Sequence, residues 1–141
     1  MKKNKISKNW LNKQKRDVYV RLSKVEGYRA RSAYKLIEIN EKFKIFKGGM
    51  CVLDIGAAPG SWSQYASKVI KNGKIISVDL KDMREIKNTI QIEGDFTDND
   101  TQTQIKSYIN NKLDVVMSDM AVNTTGIKNL DSIQTGELCK E

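Results

Sequence analysis

The sequence predicts an α/β fold in which helices cover both faces of a parallel β-sheet. Four short runs are apolar at successive positions, which is typical of strands buried on both faces of such a sheet. Stretches of helical composition separate these runs, and a turn rich in glycine and alanine follows the first. The strand runs are Met50–Gly56, Lys74–Leu80, Thr89–Asp95 and Leu113–Met120. Helices are expected between them at Trp62–Lys71, briefly near Asp82–Lys87, and at Asn99–Asn111.

Two further helices are expected before the first strand. The first begins at Ser7 and ends at Gly27, a C-cap residue, because apolar side chains recur between them at helical spacing. Ser32 can cap the second helix, and Gly48 and Gly49 close it. The apolar side chains of the first helix are Leu11, Val18, Leu22 and Val25.

Positive charge is concentrated at the N-terminus. The 141 residues carry a net charge of +8. Residues 1–35 hold twelve basic and two acidic side chains, whereas the remainder holds thirteen basic and fifteen acidic ones. We therefore divide the chain into a basic helical N-terminal arm, residues 1–49, and a near-neutral domain, residues 50–141. This asymmetry indicates a polyanionic partner, nucleic acid before membrane, although a lysine-rich terminus can also serve solubility alone.

The composition excludes several classes of site. The chain has no histidine, so acid–base chemistry must use lysine, aspartate, glutamate or tyrosine. Its two cysteines, Cys51 and Cys139, form no CxxC pair, and we expect neither a metal site nor a disulfide framework. No apolar run is long enough to span a membrane, and the lysine-rich start lacks the apolar core of a signal peptide. We expect a cytoplasmic protein in a reducing compartment.

One aspartate stands at or near the carboxyl end of each predicted strand. In open α/β sheets, ligands bind at this edge. Four acids aligned there favour a binding site over a solubility feature. They are Asp54, Asp79, Asp95 and Asp119.

The turn after the first strand reads Gly-Ala-Ala-Pro-Gly, from Gly56 to Gly60. It lacks the second glycine of the G-x-G-x-x-G dinucleotide fingerprint, and Pro59 removes a backbone N–H that a phosphate would bind. The loop therefore suits close approach to a ligand without phosphates, although an ordinary strand-to-helix turn can also be glycine-rich. Trp62, just beyond the turn, offers this ligand a flat apolar surface.

The ligand that fits these residues is an adenosine with a positively charged group. Asp79 can accept hydrogen bonds from a ribose diol, as it would in NAD and S-adenosylmethionine sites alike, and Asp95 can hold an adenine amino group. No basic residue occurs between Met50 and Gln64. S-adenosylmethionine, whose sulfonium is cationic, therefore fits better than NAD. An NAD-dependent oxidoreductase is the alternative that this comparison disfavours.

A second group of polar residues follows the fourth strand, from Ser118 to Gly126. Asp119 is expected beside the glycine turn, where a methyl donor would present its carbon. Upstream, Arg31 and Lys35 are four residues apart in a helix, and this like-charge pair would be stabilised by a phosphate backbone between them. With Arg29 they are the predicted RNA contacts, and a solvated helix face is the alternative.

These segments resemble the FtsJ-type 23S rRNA 2′-O-ribose methyltransferases. The similar segments are SKNWLNKQKRDVYVRLSKVEGYRARSAYKLIEINEKF, VLDIGAAPGSWSQYAS, GKIISVDL, QIEGDF and VVMSDMAVNTTG. The resemblance implies a Rossmann-like, S-adenosylmethionine-dependent fold acting on the 2′-hydroxyl of a uridine in 23S rRNA of the large ribosomal subunit. It implies catalytic roles for Lys35 and Asp119. It also implies cofactor contacts from Gly60, Trp62, Asp79, Asp95 and Asp119.

The sequence departs from this family in two respects. Val122 replaces a proline that the family has near its active site. The family also continues beyond the equivalent of Glu141, through the rest of its sheet and its second catalytic lysine and glutamate. We therefore expect a chain that lacks the C-terminal part of the sheet, with an exposed edge at Leu113–Met120, and a monomer when complete. The alternative function is a non-catalytic fragment that retains cofactor or RNA binding.

Overall fold

The computed structural model describes residues 5–110 and 112–120, in which four parallel strands form one sheet in the order β3-β2-β1-β4. This confirms the predicted α/β class. The strands are β1 Cys51–Ile55, β2 Lys74–Asp79, β3 Thr89–Glu93 and β4 Val115–Ser118. The helices are α1 Lys5–Glu26, α2 Ala33–Phe43, α3 Ser61–Val69 and α4 Asn99–Ser107.

The sheet separates two apolar clusters because successive residues of a strand point to opposite faces. Val52 packs with residues of α2 and α3 on one face, among them Leu36 and Tyr65. Leu53 packs on the other face with Ile76 of β2 and Ile105 of α4. The order β3-β2-β1-β4 brings the carboxyl ends of all four strands to one edge.

The first helix ends as predicted, but its apolar side chains are exposed. Gly27 follows the helix with a φ of +80°, the left-handed conformation that glycine adopts most readily. The helix contacts the rest of the protein through another face, where Tyr19 stacks on Tyr34 with ring centroids 5.1 Å apart and donates a hydrogen bond to Glu38. Ser23, on the same side, is buried. The exposed apolar side chains are Leu11, Val18, Leu22 and Val25.

The second helix ends earlier than predicted, at Phe43 rather than at Gly48 and Gly49. Lys44 has a φ of 52° and its N–H donates to the carbonyl of Asn40 at 2.7 Å. The Asn40 side chain accepts a hydrogen bond from the N–H of Phe46 and so redirects the chain. Ser32 precedes the helix but makes no side-chain capping bond.

The prediction of a short helix near Asp82–Lys87 is wrong. The structure has an irregular connection there, since side chains from elsewhere take the carbonyls that a helix would use. The Arg29 guanidinium donates to the carbonyls of Arg84 and Glu85, each at 2.6 Å. The Gln91 side chain bonds the carbonyl of Arg84 and the N–H of Ile86.

The second helix shares a core with the sheet. Leu36 is 4% exposed and contacts the same apolar cluster as Val52 and Met117. The division of the chain at residue 49 stays a prediction. None of the helices in the described part of the chain is long and apolar enough to cross a bilayer.

Candidate functional site

Two positions in the glycine turn that follows β1 are sterically restricted. Gly56 has a φ of +66°, and a Cβ there would lie 2.8 Å from the Cβ of Met120, which follows β4. Gly60 has a φ of +109° and begins α3, and a Cβ there would lie 2.6 Å from Cδ1 of Ile86. Both positions therefore need glycine, for the conformation and for the close packing. Gly60, a predicted cofactor contact, fixes the start of the helix that follows the turn.

Asp79 ties the glycine turn to the end of β2. One carboxylate oxygen accepts the N–H of Ala58 at 2.9 Å, and the other accepts the N–H of Lys81 at 2.8 Å. An ionised carboxylate has about four lone-pair sites, so each oxygen retains capacity for another donor. The arrangement fits the ribose diol that the sequence predicted for Asp79.

Asp54 is the carboxylate that sequence reasoning left without a role. It is 1% exposed, and its Oδ2 accepts a hydrogen bond from the Ser63 hydroxyl at 2.7 Å. Ser63 also bonds the buried hydroxyl of Ser77. Burial raises the pKa of Asp54 to about 7, and the charges of Asp119 and Asp79 add to the effect while Ser63 opposes it. The polar Ser77 within the apolar run KIISVDL was the signal that could have revealed this network.

Asp95 follows β3 at the same edge. Its Oδ1 accepts the N–H and the hydroxyl of Thr97, at 2.9 and 2.7 Å. These bonds lower the pKa of Asp95 from its ordinary value. The N–H of the preceding Gly94 donates to the carbonyl of Asp79 at 2.9 Å, so the ends of β2 and β3 are held together. Nothing in this geometry obstructs the predicted contact with an adenine.

Lys35 and Asp119 form an ion pair between α2 and the end of β4. The Lys35 Nζ lies 3.0 Å from Oδ1 of Asp119, although the two residues are 84 positions apart in the chain. Their side chains are 63% and 37% exposed, so a substrate can reach both. The Ser118 hydroxyl donates to the carbonyl of Ile55 and accepts the N–H of Met120, which fixes the backbone on both sides of Asp119.

Trp62 lies in the core, not on an open surface at the turn. It is 8% exposed, and its Nε1 donates to the carbonyl of Ser32 at 2.8 Å. The Ser32 hydroxyl bonds that of Ser61, also at 2.8 Å. These contacts join the start of α2 to the start of α3 and so position Lys35, three residues later, beside the turn. The cofactor contact predicted for Trp62 stays a prediction.

The three predicted RNA contacts have different surroundings. Lys35 pairs with Asp119, and Arg31 is exposed. The Arg29 guanidinium instead bonds backbone carbonyls, including that of Pro59 in the glycine turn at 3.1 Å. Arg29 therefore supports the loop, whatever else it contacts. Among the described residues, no three His, Cys, Asp or Glu side chains are grouped closely enough to hold a metal ion.

Comparisons with known proteins decide the family. The family model of the FtsJ-like methyltransferases matches residues 28–141. The chain belongs to this family. It therefore has a methyltransferase fold, and the ion pair and glycine turn lie at the carboxyl edge of that fold.

Relatives and one solved structure agree with the family assignment. The ribosomal RNA large subunit methyltransferase E of Pelagibacter ubique is 69% identical over the whole chain, which spans 70% of that protein. The enzyme of the same name from Rickettsia akari is 48% identical over 96% of the chain, which spans 62% of that protein. A ribosomal RNA methyltransferase from Plasmodium falciparum has a similar crystal structure, with a TM-score of 0.70 and 36% identity. That match covers 79% of this chain and 66% of the other.

Part of the predicted site falls outside the described residues. The replacement at Val122 and the loop from Asn123 to Gly126 lie there, as does Cys139. The sequence predicted which acids share the sheet edge, and the structure places Asp119 beside the turn as expected.

Proposed function

We propose that this fold transfers a methyl group from S-adenosylmethionine to the 2′-hydroxyl of a uridine in 23S rRNA. The single observation that carries the proposal is the Lys35–Asp119 pair, 3.0 Å apart at the carboxyl edge of a methyltransferase sheet. Names of the relatives support the substrate, since they are ribosomal RNA large subunit methyltransferases. We place the reaction on large ribosomal subunits in the cytoplasm.

The residues around the turn fit S-adenosylmethionine. Asp79 would hold the ribose diol and Asp95 the adenine, while Gly60 and Trp62 shape the turn against the cofactor. Asp79, Asp95 and Asp119 place several carboxylates at this edge of the sheet, and no basic residue occurs between Met50 and Gln64. Such an environment favours a cation over a phosphate. When bound, this cofactor supplies an electrophilic methyl group.

Lys35 and Asp119 would orient the acceptor. The Asp119 carboxylate can accept a hydrogen bond from a ribose 2′-hydroxyl, and the Lys35 ammonium can donate to the same sugar or to its phosphate. Holding the hydroxyl in one geometry converts a bimolecular reaction into an effectively unimolecular one. The hydroxyl oxygen would gain the methyl group as the methyl–sulfur bond of the sulfonium breaks, which leaves a neutral thioether, and the hydroxyl proton would pass to solvent at this exposed pair. Both side chains are therefore positioned to act directly on the substrate.

RNA binding is assigned to the basic N-terminal region. Residues 1–35 carry a large excess of positive charge. Lys35, at the end of this region, forms the ion pair with Asp119, and the exposed Arg31 precedes it by four residues. Contacts with phosphates bind RNA strongly but in a salt-dependent way. The arm would bring the rRNA to the site, and the ion pair would select the reacting ribose.

A nucleoside assay tests the proposal. The chain, joined to the part of the Pelagibacter relative that it does not span, is incubated with large ribosomal particles and S-adenosylmethionine. The rRNA is then digested to nucleosides for mass spectrometry. We expect 2′-O-methyluridine with the unsubstituted protein and a loss of about a hundredfold or more in rate with Lys35→Ala or Asp119→Asn.

Lys42→Ala is the matched control, because Lys42 is an exposed lysine on the same helix and makes no contact with Asp119. It should methylate at the normal rate. Methylation on a base instead of the ribose would sink the proposal. So would a Lys35→Ala protein as active as the Lys42→Ala control.

A further inference from the structure

A basic pocket lies beside the glycine turn, on the outer side of α3. Its volume is about 420 Å³, and its lining includes Lys68 in the last turn of α3 and Lys71, which follows that helix. Glu85 and Lys87 of the connection between β2 and β3 form the facing wall, and Arg29 closes one end. The pocket is distinct from the Lys35–Asp119 pair, and the proposed methyl transfer does not use its lysines.

The pocket carries uncompensated positive charge. Four basic side chains line it against one acid, Glu85. In the described part of the chain, none of its three lysines lies within salt-bridge distance of a carboxylate. Burial and the charge of the neighbouring Arg84 lower the pKa of Arg29. The uncompensated lysine charges would attract an anion into the pocket.

Internal hydrogen bonds hold the pocket in shape. Gln64 accepts the backbone N–H of Arg29 at 2.9 Å and donates to the carbonyl of Gly27 at 3.2 Å. The Lys68 ammonium lies 4.2 Å from the ring centroid of Tyr28, a cation–π contact that holds this side chain at the rim. Ile86 is 5% exposed and forms an apolar floor. A ligand would therefore meet the Lys68 ammonium already in place.

The pocket connects physically to the candidate site. One nitrogen of the Arg29 guanidinium donates both to the Pro59 carbonyl in the glycine turn and to the Arg84 carbonyl. A second nitrogen donates to the carbonyl of Glu85 in the pocket wall. The pocket and the turn thus lie on two sides of one fixed guanidinium.

We propose that this pocket binds a backbone phosphate of the RNA substrate, at a nucleotide other than the one that is methylated. The inference rests on the proposed function, which makes RNA the partner. Lysine ammoniums and the side-chain amide of Asn88 can donate to phosphate oxygens, and such contacts position a nucleic acid without reading its sequence. The pocket would fix the position of the RNA relative to the glycine turn, to which Arg29 links it.

RNA binding as a function of salt tests this inference. The probe is a transcript of the large-subunit rRNA, titrated with the whole chain at salt concentrations from about 50 to 300 mM. In Lys68→Gln/Lys71→Gln, which removes the contact with one phosphate, the slope of log K against log salt should fall by about 0.7, and affinity near 0.1 M salt should fall by about tenfold. Lys106→Gln, an exposed lysine of α4 outside the pocket, is the control and should change the slope by half as much at most, as a non-specific charge would.

The outcomes separate this inference from the proposed function. If Lys68→Gln/Lys71→Gln keeps the slope and affinity of the unsubstituted chain while Arg31→Gln weakens binding, RNA is the partner but the pocket does not bind it. If the unsubstituted chain binds no RNA even at low salt, both proposals fall. If polyglutamate binds through Lys68 and Lys71 while RNA does not, the pocket serves an acidic protein and the inference is overturned. Thermal unfolding of each variant verifies that it is folded.

Discussion

Asp54 shows at the scale of one residue how the sheet edge accommodates several acids. Its side chain is buried and its pKa is raised to about 7, first by burial and then by the nearby charges of Asp119 and Asp79. Asp79 and Asp119 remain accessible to backbone N–H groups and to Lys35. Because its pKa is raised, Asp54 carries less negative charge near neutral pH than an ordinary aspartate, which limits the repulsion between these acids.

The raised pKa of Asp54 makes stability depend on pH. In the unfolded chain an aspartate ionises near pH 4, whereas folded Asp54 stays protonated until about pH 7. Between these values the folded state binds more protons, so its stability falls as pH rises. Between pH 5 and pH 7, the free energy of unfolding of the unsubstituted chain should therefore fall by about 2–3 kcal/mol more than that of Asp54→Asn.

Urea unfolding at the two pH values measures this difference. Asparagine can still accept the Ser63 hydrogen bond, so the comparison isolates the ionisation. Ser67→Ala, which removes only a hydroxyl bonded to a helix carbonyl, is a control that should keep the normal pH dependence. Equal pH dependence in Asp54→Asn and in the unsubstituted chain would refute a raised pKa for Asp54.

At the scale of elements, the strands were predictable and one connection was not. The apolar runs located all four strands to within two or three residues, because burial on both faces leaves a clear pattern in sequence. The segment from Asp82 to Lys87 has helical composition, but Arg29 and Gln91 bond its carbonyls. Partners that are distant along the chain cannot be read from local composition.

The placement of Trp62 was equally hard to predict. A tryptophan after a glycine turn suits a ligand surface and a core position alike, and only the three-dimensional position of the Ser32 carbonyl decides which way the indole N–H points. The Lys35–Asp119 pair was predicted from a family resemblance and not from spacing. The structure brings the two side chains together because α2 packs on the sheet through Leu36.

The first helix should act mainly in RNA binding. Its apolar side chains are exposed, and Tyr19 joins it to α2 by stacking on Tyr34 and by a hydrogen bond to Glu38. Deleting residues 1–24 removes nine basic side chains. We expect the salt dependence of rRNA binding to flatten by several units of slope, while binding of S-adenosylmethionine stays within about threefold.

Titration of labelled rRNA at several salt concentrations measures the slope, and calorimetry measures the cofactor affinity. If the truncated protein showed the same slope as the whole chain, the arm would serve solubility and not RNA binding.

At the scale of the whole molecule, basic and acidic residues are concentrated in different regions. The N-terminal region holds the basic excess, and the carboxyl edge of the sheet gathers the acids. A polyanionic substrate and a cationic cofactor would therefore approach different parts of one surface. The Lys35–Asp119 pair lies where these parts meet, with one residue from each. This arrangement supports the proposal of methyl transfer to RNA.

The central claim is that the sheet edge binds S-adenosylmethionine, and calorimetric titration of the purified chain tests it most directly. Asp79→Ala is measured in parallel, with thermal unfolding to verify its fold, since Asp79 also bonds the N–H groups of Ala58 and Lys81. We predict one bound S-adenosylmethionine per chain, affinity weakened about ten- to a hundredfold by Asp79→Ala, and no binding of NAD. Binding of NAD in place of S-adenosylmethionine, or unchanged affinity in a folded Asp79→Ala protein, would contradict the account.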